Sequence, residues 1–391
     1  MSEQGKMPVT IRQARSEDIG SILDLLTEYD LPRSYFEPFY LNDSSYRPEQ
    51  SWVVEQDGRL VAHLRVFDRW IRIDRAHVHI AGIGNAITAK DARGHGYSSQ
   101  LMTAMLPALQ QAGYAYSLLW THLPSLYGRH GWIPIEQELM RGSFPPFVGD
   151  TVIIAPFQEQ DLPAVMELYE RTNARRTGTT IRSTEYWQDQ LLWLHEDHST
   201  FLVARDKLYS ALVGYVRSRE GQQAVEILEL GIAAGSATVG HALLSAVATE
   251  HHSQLRGQFP PSQSDVFVPG TFEAVHEPGL MGRVVNLAEL FHALEGLWMD
   301  RLQQANTSEG ILSVSTSAGL STWYVRNGKL QREEQHNPKR VPPLHERELA
   351  HLLFHGFDTS AHKLVGHRSD VSFLQTLFPV QDFVIWQADA F

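Results

Sequence analysis

The chain has 391 residues, enough at roughly 100–200 residues per domain for two or three separate cores, and a single small module is excluded. Hydrophobic residues make up 43% and charged residues 20%, the balance of an ordinary globular protein and not of a disordered tail. Lys plus Arg number 33 against 45 Asp plus Glu, a formal charge of −12; this speaks against nucleic acid or an anionic membrane as the main partner and suits a cationic ligand. Cysteine is absent, so disulfides, thiolate nucleophiles and Cys-ligated zinc are all excluded.

In chain order, Met1 to Val9 is polar without an apolar core, and no stretch approaches the ~20 apolar residues of a membrane span, so a cytoplasmic protein is expected. Val9-Thr10-Ile11 then reads as a strand. Ser16-Glu17-Asp18-Ile19 follows as a helix start, its carboxylates at the positive end of the helix dipole. The same order returns as Val152-Ile153-Ile154 and Glu159-Gln160-Asp161-Leu162. A second match follows in each half: Trp52 to Asp57 with Leu60-Val61, and Phe201 to Asp206 with Leu208, both read as hairpins. Two ordered matches indicate a duplicated α/β unit, with halves near 1–148 and 149–285. Pro-rich breaks at Ser143 to Gly149 and Gly257 to Ser264 read as linkers. Beyond Pro278-Gly279 the texture changes, and 286–391 reads as a third domain. It has a helix from Ala288 to Leu302, an Asn327-Gly328 hairpin turn and a helix from Glu346 to Phe354 stopped by Gly356.

The stretch that carries chemistry runs from Ala81 to Ala104: a strand through Ala86-Ile87-Thr88, a turn Arg93-Gly94-His95-Gly96-Tyr97-Ser98-Ser99, then a helix from Gln100. Backbone N–H groups of such a loop, with those of the first helical turn, make an anion cradle, and glycines let a phosphate approach closely. Ordinary strand–helix turns also use two glycines, so the pattern alone leaves both readings open. The GK[ST] of a P-loop and the G-x-G-x-x-G of a dinucleotide fold are missing.

Arg93-Gly94-His95-Gly96-Tyr97-Ser98 resembles the Q/R-x-x-G-x-G/A loop of the GNAT superfamily of acyl-CoA-dependent N-acetyltransferases, with Ser98 at a position that is Gly or Ala there. The resemblance implies that acetyl-CoA is the co-substrate. Its pyrophosphate would lie on the amides of Arg93 to Ser99 and its pantetheine arm along Ala86, Ile87 and Thr88. A strand over Ser117 to Thr121 leads to His122-Leu123-Pro124-Ser125-Leu126-Tyr127-Gly128-Arg129-His130-Gly131-Trp132, similar to the family's Y-x-x-x-G-[FW] segment. By this likeness Tyr127 is the general acid, and His122 and Leu123 are further cofactor contacts. A phenol of pKa about 10 can protonate a departing thiolate; a core or cap aromatic is the bland alternative for Tyr127.

Over its whole length the chain resembles the enhanced intracellular survival (Eis) family: a mixed-sheet α/β (α+β) protein of two tandem GNAT-like domains, the second degenerate, followed by a sterol carrier protein-like α+β domain. In the second half the matching stretch is Glu229 to Ser236 with Gly240, which lacks the Arg and the loop spacing, so no cofactor is expected there. The resemblance further implies a homo-hexamer and a terminal α-carboxylate, here Phe391, acting as proton acceptor. A bare α-carboxylate has pKa about 3.3–3.7, so the role needs burial or a relaying water; otherwise the apolar tail docks as an edge strand. The expected reaction is acetyl transfer to a primary amine of an aminoglycoside-like or polyamine-like molecule or of lysine. A tandem GNAT using an aminoacyl donor and a non-catalytic acyl-CoA or apolar-ligand binder are the rivals.

Asp24, Glu28 and Asp30 could draw a cation to the acceptor pocket, with Tyr29, Tyr35, Phe36 and Trp70 as its walls. No metal is expected. His351 and His355 are spaced i, i+4 but lack the central Glu of a zincin helix, and His195-Glu196-Asp197-His198 and His251-His252 read as polar faces or turns.

Overall fold

The computed structural model describes residues 9–193, 199–233, 235–248, 254–267, 271–326, 329–332 and 342–391. The N-terminal part runs β1 (Val9–Gln13), α1 (Ile19–Leu26), α2 (Arg33–Leu41), β2 (Ser51–Gln56), β3 (Arg59–Ile73), β4 (Ala76–Thr88), α3 (Tyr97–Gln111), β5 (Tyr116–Trp120), α4 (Pro124–Gly128) and β6 (Ile133–Pro134). The middle part runs β7 (Glu138–Ser143), β8 (Val152–Pro156), α5 (Leu162–Asn173), α6 (Thr184–Trp193), β9 (Ser199–Asp206), β10 (Leu212–Glu220), β11 (Val225–Ile232), α7 (Ala237–Val247), β12 (Gln254–Gly257), β13 (Thr271–His276) and β14 (Leu280–Val284). The last part runs α8 (Leu287–Gln304), β15 (Glu309–Thr316), β16 (Gly319–Arg326), β17 (Lys329–Arg332), β18 (Leu344–His345), α9 (Glu346–Phe354), α10 (Thr359–Val365) and α11 (Val371–Leu377).

The duplicated strand–helix start has a local cause. Asp18 accepts the amide of Arg15 at 2.7 Å and the guanidinium of Arg12, while Asp161 accepts the amide of Gln158 at 3.0 Å and pairs with Arg205. In both copies a carboxylate three residues into the turn closes the first helical turn and ties it to a strand. The copies then build the same sheet. The first has the order β1-β2-β3-β4-β5-β14-β6 and the second β8-β9-β10-β11-β12-β7-β13, each antiparallel except at one central pair, β4 with β5 and β11 with β12.

Sheet membership corrects the reading of the halves as contiguous segments. β7, inside 1–148, pairs with β12 and β13 of the second sheet, and β14, inside 149–285, pairs with β5 and β6 of the first. The halves therefore exchange one strand each. The strand predicted at Leu208 is also corrected: Leu208 is exposed in a turn that Asp206 holds through the amides of Leu208 and Tyr209, and β10 starts at Leu212.

The third sheet has the order β17-β16-β15-β18. Asn327-Gly328 lies outside the described residues; the flanking strands pair down to Arg326↔Lys329. Its helices share a core with one face of the first sheet: Leu290, Leu294 and Trp298 of α8 join Val78, Ile80 and Leu118. The tail after α11 is not an edge strand; alternate residues enter different cores, Phe383 and Ile385 with the first and third sheets, Val384 and Trp386 with the second.

Candidate active site

The site forms where β4 and β5 part. Their parallel ladder runs only from Ile80↔Tyr116 to Ile83↔Leu119, although β4 continues to Thr88, still paired to β3 at Ala62↔Thr88. The cause is a bulge in β4: the register with β3 slips between His63 and Arg65, and Asn85 opposite them takes φ 51°. Asn tolerates this left-handed conformation better than other side-chain-bearing residues. The bulge is pinned from below. His63 Nδ1 donates to the Asn85 carbonyl at 2.9 Å, Nε2 lies 3.1 Å from the Ser51 hydroxyl, and Asn85 Nδ2 donates to Tyr40 at 3.0 Å. Burial pushes the His63 imidazole down to about 4, so it is neutral, as a ring that donates once and accepts once must be.

Beyond β4 lies the glycine loop. Gly94 and Gly96 have φ 85° and 76°, conformations that cost a side-chain-bearing residue roughly 1–2 kcal/mol. Residues Arg93 to Gly96 are exposed, and Gly96 immediately precedes α3, whose first-turn N–H groups have no intrahelical acceptor. Side chains brace the loop from both sides: Thr88 and Ser98 hydroxyls lie 3.0 Å apart, Arg93 Nε donates to the Thr88 carbonyl at 3.2 Å, and Ser99 meets His130 Nε2 at 2.7 Å. Ala86, Ile87 and Thr88 sit on the parted strand end, with Tyr29 donating its hydroxyl to the Ala86 carbonyl at 2.8 Å. The site is thus an exposed anion cradle beside a strand end that β5 leaves uncovered, which fits a diphosphate joined to an amide-bearing arm.

Tyr127 sits in the short α4, buried edge-on to Trp132 with ring centroids 6.2 Å apart. Burial raises its pKa, so the phenol is protonated at neutral pH, the state an acid needs. Tyr29, raised to about 12 by its enclosure with Tyr127 adding to the shift, is its neighbour. His122 and Leu123 are exposed at the exit of β5, with the Leu123 amide held by Thr121 Oγ1 at 2.9 Å.

Phe391 packs on the face of the first sheet that shares a core with α8. Its ring stacks on Phe67 of β3 at 5.7 Å and meets Trp120 of β5 edge-on at 5.0 Å. Gly82 and Gly84, two apart and so on one face of β4, make room for it. A Cβ on Gly82 would lie 2.7 Å from the ring, and one on Gly84 would lie 2.8 Å from the carboxyl carbon of Phe391. The carboxyl carbon of Phe391 therefore rests beside the bulge.

What aims the tail is a buried charge cluster of the second sheet. Arg182 donates to both oxygens of Asp389, at 2.9 and 2.8 Å, and to both of Glu229, at 3.2 and 2.6 Å. Tyr186 donates to Asp389 at 3.2 Å, and Gln190 donates to Asp389 at 2.9 Å and to the Ala388 carbonyl at 2.8 Å. Sequence reasoning missed this cluster and the bulge. The alternating Gly82 and Gly84 inside a strand was the available signal for a close approach.

A cavity of about 400 Å³ opens beside Phe391, walled by Tyr29, Tyr35, Phe36, Phe39, Phe67 and Tyr186 and reached also by Arg69 and Arg219. Trp70 is not among its walls: its ring stacks on His79 at 4.6 Å. Asp24, Glu28 and Asp30 do not line it either. They engage Arg33, the Lys90 amide and the Lys90 side chain at the surface. Among the described residues no group of three or more His, Asp or Glu could hold a metal ion. His351 bonds Asp358 at 2.8 Å, and burial first, then His351, pushes His355 down to about 4. The histidines at 195, 198, 251 and 252 lie outside the described residues. No helix among the described residues is long and apolar enough to cross a membrane.

Residues 10–135 match the family model of the Acetyltransferase (GNAT) domain. No curated protein sequence matches the chain. Among solved structures, a GCN5-related N-acetyltransferase from Kribbella flavida superposes with TM-score 0.72 at 18% identity, covering 100% of both chains. One from Anabaena variabilis superposes with TM-score 0.72 at 16% identity, covering 98% of this chain and 100% of the other. Eis1 from Mycobacterium abscessus gives 0.66 at 14% identity, covering 98% of this chain and 100% of the other. At such identities the superpositions establish a shared fold over the full length. The family match assigns residues 10–135 as a GNAT domain, so the chain carries an acyltransferase domain.

Proposed function

We propose that the chain transfers the acetyl group of acetyl-CoA directly to a primary amine, in the manner of an Eis-type N-acetyltransferase whose third domain resembles sterol carrier proteins. The observation that carries the reading is the Phe391 carboxyl group resting against Gly84, beside the β4 bulge and in the domain that holds the protonated, buried Tyr127.

Arg93 to Ser99 hold the diphosphate by backbone amides, while Ala86, Ile87 and Thr88 bond the amide arm and hold the thioester at the bulge. Acetyl-CoA supplies an activated acyl carbon. The Phe391 carboxylate, directly or through one water, takes a proton from the ammonium, and the neutral amine then attacks the thioester carbonyl. Tyr127 gives its proton to the sulfur as the carbon–sulfur bond of the tetrahedral intermediate breaks, so an N-acetyl amide and a free thiol result. The nitrogen gives up a second proton to solvent as the amide forms; of the two protons lost, one restores Tyr127 and one is released, so the reaction yields amide, thiol and one proton.

The acceptor reading is a cationic amine held by ring faces and the terminal carboxylate. Arg69 and Arg219 at the cavity are each paired with a carboxylate, Asp43 and Glu226, so an aminoglycoside-like or polyamine-like amine and a lysine side chain all suit it. Assembly as a homo-hexamer rests on the family resemblance, and a sizing measurement tests it. The test of the chemistry is Tyr127→Phe. The expected result is a kcat lower by about 10²–10⁴ with acetyl-CoA affinity kept; unchanged turnover refutes the acid role and favours a site that only binds.

A further inference from the structure

The third sheet touches the loop that carries Tyr127. That loop leaves α4, makes a tight turn in which the amides of His130 and Trp132 both donate to the Tyr127 carbonyl, at 2.9 and 3.3 Å, and enters β6. Gly131 at its tip has φ 90°. A Cβ there would lie 2.9 Å from the Cβ and Oγ of Ser317, in the turn between β15 and β16, and 3.0 Å from Nε of Arg283 on β14. The loop backbone therefore lies directly against both side chains.

Glu346, the first residue of α9, ties this junction together. One carboxylate oxygen accepts the Val284 amide at 2.6 Å; the other accepts the Ser317 amide at 2.9 Å and its hydroxyl at 3.3 Å. Arg283, next to Val284, is 7% exposed, and its Nε and Nη1 have no hydrogen-bond partner. Burial weighs against its charge, and the Glu346 carboxylate favours it. Its guanidinium lies 5.5 Å from the Trp132 ring centre, where the face of the ring attracts a cation. Trp132 is anchored in turn by Nε1, which donates to the Ser117 hydroxyl at 3.2 Å, and its ring meets that of Tyr127 edge-on. A contiguous packed path thus runs from α9 to the phenol.

We infer that Glu346 is a positioning residue for Tyr127: through Ser317 and Arg283 it sets where Gly131 and Trp132 lie, so that α9 and the third sheet aim the acid of the first. The assignment rests on the acid role proposed for Tyr127.

Glu346→Gln tests it, because a carboxamide has one acceptor oxygen and its amino group would face one of the two amides. Thiol release should show kcat lower by about tenfold with the KM for acetyl-CoA kept, since misplacing a reacting group costs rate and leaves cofactor contacts intact. In a Tyr127→Phe background the same substitution should cost nothing further, as two residues acting through one step are not additive. Ser317 is exposed, so Ser317→Gly keeps the fold while removing the atoms against Gly131, and it should lower kcat by about threefold. Unchanged kcat in Ser317→Gly, or an undiminished tenfold loss from Glu346→Gln in the Tyr127→Phe background, overturns the assignment and leaves the acid role standing. Full turnover by Tyr127→Phe alone refutes the acid role, and this assignment with it.

Discussion

The two seven-stranded sheets repeat one pattern and put it to different uses. Each has a single parallel pair, a register slip in the strand before it and a fully buried arginine opposite the slip: Arg65 paired with Gly84 in the first, Arg217 paired with Glu229 in the second. In the first sheet Arg65 is bound from outside the sheet, by Asp43 and the Phe39 carbonyl, and β5 leaves the parted strand end uncovered. In the second the same place is filled by ions. Glu229 projects from β11 to meet Arg182 at 2.6 Å and Arg217 at 3.7 Å, and Arg182 passes on to Asp389 of the tail. One copy keeps an open edge; the other has become a clamp that holds Asp389, two residues before the Phe391 that packs on the first sheet. The loss of a glycine motif is thus a change of task, and the strand exchange of β7 and β14 locks the two copies together.

The largest effect should come from displacing the delivered end. A short peptide fused after Phe391 moves the carboxylate, and turnover should fall by about 10³ with coenzyme A binding intact; full activity would break the division of labour. Gly84→Ala, whose Cβ would meet the Phe391 carboxyl carbon at 2.8 Å, should act the same way more weakly. Next comes the clamp. Arg182→Ala leaves Glu229 and Asp389 buried without their shared cation, and chemical denaturation should record a loss of about 3–5 kcal/mol.

Smaller is a pH effect confined to the open copy's support. His63 holds its folded pKa at about 4 against 6.5 when unfolded, so the unfolded chain takes up the proton first. Its share of stability is complete above pH 6.5 and declines as pH falls to 4, by about 3 kcal/mol in all. His355 titrates over the same window, so His63→Gln should flatten the measured slope without abolishing it. Smallest is Gly96→Ala, where roughly 1–2 kcal/mol of backbone cost should raise the KM for acetyl-CoA by about tenfold and leave kcat nearly unchanged.

What the sequence disclosed was whatever local spacing dictates. The helix over Glu346 to Phe354 and its stop at Gly356, with φ 74°, follow from apolar periodicity and a glycine's left-handed conformation. The glycine loop and both capped helix starts were legible for the same reason, since each partner lies within a few residues. The exchanged strands were not, because Glu138–Ser143 and Leu280–Val284 have patterns that suit either sheet, and only packing decides. Nor was the clamp. Arg182 and Asp389 are 207 residues apart, and nothing near either residue announces the other. Three walls of the cavity beside Phe391, Tyr29, Tyr35 and Phe36, could be named from aromatic content, while Trp70 looked equivalent and turned away to stack on His79.

The most direct measurement is thiol release from acetyl-CoA by the full chain, offered lysine peptides, polyamines and aminoglycosides in turn. The protein has no cysteine, so every thiol detected comes from the donor. Amine-dependent release with at least one of these acceptors is the predicted result. Silence with every amine from a chain that demonstrably binds acetyl-CoA would contradict transfer at the β4 bulge.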